Sequence, residues 1–260
     1  MVAVYQNTSA MQRLRLRRIK RAFISMLGVV MIILAGFAGY SFANSAFFDI
    51  NEIVVVGNET VSRDEVIVIA GIRYGTNILK YSSRTIAERL KAQPYVETAV
   101  VYRFIPKKVE IRIRERTPMA LISADDKHFI LDANGYCLSE VGVATAESWA
   151  LPGIRCGPRV ARLNPGERVD DKGALAALSW IRQLDPYFME NIYEFDAPSA
   201  EKLSVINREG LRVYLGQPED LDRKLQNYED ILIKNAGSCN ADTLEYVDLR
   251  YDTQITLKWK

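Results

Sequence analysis

One histidine, His128, and three cysteines, Cys137, Cys156 and Cys239, are the residues with obvious reactive chemistry. A Ser/His or Cys/His arrangement must use His128, which lies in a short strand pattern beside the charged turn Asp125-Asp126-Lys127. The simpler expectation for it is a solvent-facing strand residue. Asp125-Asp126 has the composition of a carboxylate pair, but neighbours in extended chain point to opposite faces, so a turn is expected there. Gly71-Ile72-Arg73-Tyr74-Gly75 lacks the Gly-Lys-Ser/Thr ending of a phosphate loop. With no Cys-x-x-Cys and a single histidine, neither a metal cluster nor a cofactor site is assigned. A bridge from Cys137 to Cys156 would close a loop of about 20 residues, though spacing alone does not decide connectivity. No catalytic set assembles, so an enzyme is not expected.

Binding chemistry has more support at the other end of the chain. Leu244 to Leu249 and Gln254 to Trp259 alternate as a terminal hairpin. A last strand leaves one edge of its sheet offering backbone N–H and C=O groups to a partner strand. Lys258 and Lys260 would oppose indiscriminate pairing on that edge, and Tyr251 and Trp259 would supply aromatic anchors. The competing expectation is that the hairpin simply completes a core and the lysines keep it soluble.

The elements that must position such an edge begin with a membrane segment. Arg13, Arg15, Arg17, Arg18, Lys20 and Arg21 are the charged residues before Asp49, and no charge occurs from Ala22 to Phe48. The 21 positions Ala22 to Phe42 span about 32 Å as a helix, enough for one bilayer crossing. A cleaved signal is the rival reading, since Ala43-Asn44-Ser45 offers small residues, but the apolar run exceeds the roughly 7–15 residues of a signal core. The basic tail places the N-terminus in the cytoplasm and the body outside it. Removing those six residues leaves 28 basic against 32 acidic ones, a mildly acidic body unsuited to nucleic acid. Ala35 and Gly39 have the small-xxx-small spacing of helix dimers, an opening for self-association.

After the anchor, Asp49 to Val56 reads as a strand stopped by Gly57-Asn58. Ser62 and Glu65 form a capping box for a helix with Val66, Ile67, Ile69 and Ala70, ended by Gly71. Ile86, Ala87 and Leu90 mark a second helix before Pro94. In Val96 to Tyr102 the alternation places Val96, Thr98, Val100 and Tyr102 on one face. Val109, Ile111 and Ile113 alternate strictly, with Ile105-Pro106-Lys107 as the hairpin turn. The sum is β-α-α-β-β, with both helices on one face of a small sheet. From Pro118 a second unit follows: strands at Met119 to Ile122 and His128 to Leu131, a tight turn at Asn134-Gly135, and a loop-rich stretch from Gly142 to Gly166. A helix at Asp171 to Leu184, strands at Ile192 to Phe195, Lys202 to Asn207 and Leu211 to Leu215, and a helix from Asp220 with Leu221, Leu225, Tyr228 and Leu232 precede the final hairpin.

This order resembles the bacterial division family FtsQ/DivIB. The first unit is similar to its POTRA domain through Gly57-Asn58, Gly71, Gly75-Thr76-Asn77, Pro94-Tyr95-Val96, Ala99, Val101, Arg103, Pro106 and Glu115-Arg116-Thr117-Pro118-Met119-Ala120. Tyr95 and Ile105 stand where the family usually has Trp. Leu211 to Gly216, Val247-Asp248-Leu249-Arg250-Tyr251-Asp252 and Trp259 resemble the close of its β-domain. The expected class is α+β: a cytoplasmic tail over residues 1–21, a transmembrane helix over 22–46, a POTRA domain over 47–117, and a mostly antiparallel β-domain with two or more helices over 118–260. The resemblance implies a non-catalytic scaffold of the inner membrane and division septum, with its body in the periplasm. It implies FtsB-like and FtsL-like partners held by strand addition, with Tyr251, Thr253, Gln254 and Trp259 at the contact and further division components on the POTRA unit. Thr253 and Gln254 replace a small Ser-Gly type pair. The alternative is a POTRA protein of outer-membrane assembly or secretion.

Overall fold

The computed structural model describes residues 5–124, 127–156, 163–184, 186–217, 219–220, 222–224, 226–227, 230, 243–251 and 255–260. It opens with helix α1 (Tyr5–Ala43), which runs without interruption through Arg13, Arg15, Arg17 and Arg18. Within it, the 24 residues Lys20–Ala43 have a mean hydropathy of 2.3 and bury none of their surface against the rest of the protein. At about 1.5 Å per residue that stretch is about 36 Å long, so one helix here is long and apolar enough to cross a membrane. Lys20 and Arg21 are exposed at its start.

The next unit is β1 (Glu52–Val56), α2 (Arg63–Ala70), α3 (Ser83–Lys91), β2 (Val96–Phe104) and β3 (Lys108–Glu115). Its sheet has the order β1-β3-β2, with β1 parallel to β3 and β2 antiparallel to it. Ile53, Val109 and Ile111 from the sheet meet Val66, Ile86 and Leu90 from the helices in one core. Ser62 caps α2 by accepting from the Glu65 amide at 3.2 Å, while the Glu65 carboxylate accepts from Gln93 at 2.8 Å. The expected capping box is therefore only half made. The face predicted for β2 also changes along the strand. A bulge between Val96 and Thr98 shifts the register, after which Ala99 and Val101 turn to the core and Val100 and Tyr102 to solvent.

The second sheet gathers β4 (Pro118–Ala124), β5 (Lys127–Asp132), β6 (Cys137–Val141), β7 (Gly153–Cys156), β8 (Ile192–Ala197), β9 (Ser204–Asn207), β10 (Arg212–Tyr214), β11 (Leu244–Asp248) and β12 (Thr256–Trp259). Their order is β12-β11-β10-β9-β8-β7-β4-β5-β6. The pairs β4/β7, β7/β8 and β10/β11 are parallel and the others antiparallel, giving a mixed sheet. The stretch expected to be loop-rich contains α4 (Val143–Ser148) and β7, whose Ile154 is buried in the middle of the sheet. Four residues carry no usable alternation, which hides such a strand in the sequence. Helix α5 (Lys172–Gln183), capped by Asp171 at the Ala174 amide, lays Ala174, Ala177, Leu178 and Trp180 on one face of the sheet. Helix α6 (Pro186–Asn191) leads into β8.

Around β4 to β6 the sheet is covered on both faces. Leu121, Ile130, Leu138 and Ala146 pack with Tyr95 of the first unit, opposite the α5 side. Near β10 to β12 the face away from α5 instead carries Arg212, Tyr214, Tyr246 and Lys258.

Candidate partner-binding edge

The terminal hairpin pairs Asp248 with Thr256, Val247 with Leu257, Tyr246 with Lys258 and Leu244 with Trp259, and a bulge near Glu245 separates the last two pairs. Strand β12 is the outermost strand of its sheet. Lys260 donates its amide inward to the Thr243 carbonyl at 3.1 Å. In an antiparallel ladder the direction alternates, so the amides of Thr256 and Lys258 also face β11, while those of Leu257 and Trp259 face outward. The Leu257 side chain packs on the core, and Trp259 is 51 % exposed beside it on the same face. The rim thus presents main-chain donors and an indole at one place.

The opposite rim, β6, differs. The Cys137 amide donates to the Glu167 carbonyl and Gly166 donates to the Cys137 carbonyl, both at 2.8 Å, so the chain's own segment covers the start of that edge. Among the described residues, none covers β12 in this way.

Charges beside β12 are held in defined pairs. Lys258 Nζ lies 2.7 Å from Glu245 Oε2, and the hydrogen bond and charge of Glu245 raise the lysine pKa. Arg250 grips Asp248 through Nη2 to Oδ2 at 2.6 Å and Nε to Oδ1 at 2.9 Å. Burial alone would raise the Asp248 carboxyl; the hydrogen bonds from Arg250 outweigh it and hold the pKa below its usual value. The same guanidinium lies 5.0 Å from the Tyr214 ring centroid and 5.6 Å from that of Tyr251. Tyr251 is itself exposed. Asp196, Lys202, Ser204, Arg212, Tyr214, Tyr246 and Arg250 line an open groove of about 390 Å³ on this face.

Residues 48–116 match the family described as POTRA domain, FtsQ-type. Relatives extend the likeness to most of the chain. A cell division protein FtsQ of Mycobacterium leprae is 29 % identical over 218 residues, which are 83 % of this chain and 60 % of that protein. A cell division protein FtsQ of Geotalea daltonii is 25 % identical over 239 residues, 89 % of this chain and 84 % of its own. A cell division protein DivIB of Clostridium tetani is 25 % identical over 193 residues, 72 % and 71 % of the two chains. Residues 48–116 thus match an FtsQ-type POTRA domain, and the chain is similar over most of its length to cell division proteins FtsQ and DivIB.

The residues singled out from the sequence are not all brought together. Trp259 lies on β12 and Tyr251 just after β11, whereas Thr253 and Gln254 lie outside the described residues, as do Asp125, Asp126 and Cys239. Cys137 and Cys156 are both free thiols, so the bridge considered between them is not formed. They belong to β6 and β7, three strand spacings apart, or about 14 Å, well beyond disulfide reach. Burial pushes each thiol up to about 12. His128 Nδ1 meets Ser123 Oγ at 2.9 Å as its direct cross-strand neighbour. Among the described residues no group of three or more metal-ligating side chains occurs. Sequence reasoning missed the groove. Its signal lay in Asp248 and Arg250, an acid and a base two positions apart at a strand end, but the ring of Tyr214 joins them only through the parallel β10/β11 pairing.

Proposed function

We propose that this chain is a single-pass, membrane-anchored scaffold of the bacterial division machinery that acts by binding. The proteins it is similar to are cell division proteins, and that likeness over most of the chain supports a division role. In this reading the basic residues of α1 lie in the cytoplasm, the body lies in the periplasm at the septum, and the POTRA unit through residue 117 carries the β-domain above the membrane. FtsB-like and FtsL-like segments add to β12 as a further strand, with Trp259 and Tyr251 as anchors, and link early division components to septal wall synthesis.

The observation that carries this reading is the outward-facing amide of Trp259 on an outermost strand. A proline at Thr256 would break the hairpin's own pairing, so the informative position is Trp259. We expect Trp259→Ala to weaken co-purification of the FtsB-like partner from membranes by roughly tenfold or more, the scale of an interface hot spot. Trp259→Pro should weaken it further, because it also removes the outward donor. Partner capture unchanged in both variants, with circular dichroism unaltered, would sink the proposed edge.

A further inference from the structure

The end of the POTRA unit nearest α1 has a surface that the partner edge does not use. Strand direction places it. Because β1 runs parallel to the central strand β3 and β2 runs antiparallel to it, the beginning of β1, the beginning of β3 and the β2/β3 turn all lie at one pole. Asn51 and Glu52 both donate their amides to the Lys107 carbonyl there, at 3.0 and 3.3 Å. The same pole is fastened to the end of the apolar helix. Asn77 Nδ2 donates to the carbonyl of Ala43, the last residue of α1, at 2.7 Å, and Ile50 donates to the Thr76 carbonyl at 3.0 Å. Phe42 of α1 stacks on Phe47 and meets Phe48 edge to face, with centroids 5.6 and 5.3 Å apart, and Phe48 packs against the POTRA core. These contacts hold the pole against the point where the chain leaves the span.

What this pole exposes is unlike an ordinary soluble surface. Phe47, Leu79, Phe104 and Ile105 are all exposed, Ile105 by 61 %. The same segments carry exposed Arg73, Lys80 and Arg103 and half-buried Lys107 and Lys108, against Asp49 and Glu52; Arg103 donates to the Tyr81 carbonyl at 2.7 Å and Lys108 is paired with Glu52 at 2.9 Å. Aromatic and aliphatic side chains gain by entering the headgroup layer, and lysines reach lipid phosphates while their stems stay apolar.

We propose that this pole rests on the bilayer surface that α1 leaves at Ala43, with Phe104 and Ile105 in the headgroup layer and Lys80 and Lys107 on lipid phosphates. The POTRA unit is then set at a fixed tilt to the membrane rather than swinging on a free linker. The proposal rests on α1 crossing the bilayer and is independent of β12.

The test uses the full chain in nanodiscs of phosphatidylethanolamine and phosphatidylglycerol, with a coumarin-bearing amino acid introduced at the position of Ile105, Val68 or Ile33. Val68, on α2, is 77 % exposed and is not among the residues proposed to enter the headgroup layer, and Ile33 is in the middle of the apolar helix. Lipid brominated near its carbonyls should extinguish most emission at position 105 and none at 68, while chain-brominated lipid quenches position 33. Lys80→Glu with Lys107→Glu should restore much of the emission at 105. Emission at 105 as unquenched as at 68, with 33 still quenched, overturns the docking alone. Absence of quenching at 33 would remove the span and the docking with it, and pull-down through Trp259 would still report separately on the partner edge.

Discussion

Glu115, the last residue of β3, accepts hydrogen bonds from three successive amides of the loop between β1 and α2: Glu59 at 2.9 Å, Thr60 at 2.7 Å and Val61 at 3.0 Å. Burial would raise its carboxyl, but the amide donors outweigh that and the pKa falls below 4.5. A lowered folded pKa gives stability that is present above the unfolded value and is lost as pH falls through the folded one. Glu115→Gln is therefore expected to cost about 1–2 kcal/mol at pH 7, after discounting for solvent screening. The cost should shrink on acidification below pH 4.5, so that the two unfolding curves converge. Thermal unfolding of both proteins from pH 7 to pH 3 checks this, and a constant gap across that range contradicts it. Trp259 is a residue of another kind: its ring and its amide make separable contributions, which is why alanine and proline at that one position ask different questions.

At the scale of elements, turns and bulges decide where faces point. Gly57 ends β1 with φ +84°, and a Cβ there would meet the Ile113 carbonyl oxygen at 2.1 Å. Both the left-handed backbone and the backbone-to-backbone approach require glycine. Gly57→Ala should destabilise the POTRA unit by about 3 kcal/mol, read as a fall in denaturation midpoint with an unchanged slope. Gly173, in the first turn of α5, has an approach of the same kind, its missing Cβ facing the Ala197 carbonyl oxygen at 2.2 Å, so α5 sits closely on β8. On β12, by contrast, exposure of the rim follows from its place in the sheet order.

For the whole molecule, the question is whether anchor, POTRA unit and β-domain move together. The joint between the last two is short and polar at its centre. Arg116 Nη1 contacts Asp132 Oδ2 at 2.6 Å and its guanidinium lies 3.8 Å from the Tyr136 ring centroid. Asp132 Oδ1 accepts from the amides of Asn134 and Tyr136 at 2.8 Å each. Tyr95 reaches across to Ser139 at 3.2 Å, and the Arg116 amide donates to the Tyr95 carbonyl at 2.7 Å. Removing one partner of a buried ion pair costs about 3 kcal/mol or more, because the other charge is stranded. Arg116→Ala should lower stability by that amount and divide a single calorimetric unfolding transition into two. One transition at an unaltered temperature would show that the joint does not couple the units.

Local patterns made much of this legible in the sequence. The apolar run of α1, the Ser62 and Gly71 ends of α2, the strict alternation of Val109, Ile111 and Ile113, and the Asn134-Gly135 turn each depend on residues close together in the chain. The tertiary structure alone decided that β7 lies between β4 and β8, that Val100 turns outward after a bulge, that Cys137 and Cys156 are strands apart, and that β12 is a rim with its Trp259 amide facing out. Side-chain periodicity reports which face a residue belongs to. Which strand lies beside it is set by pairings across long stretches of chain, where no local pattern records the neighbour.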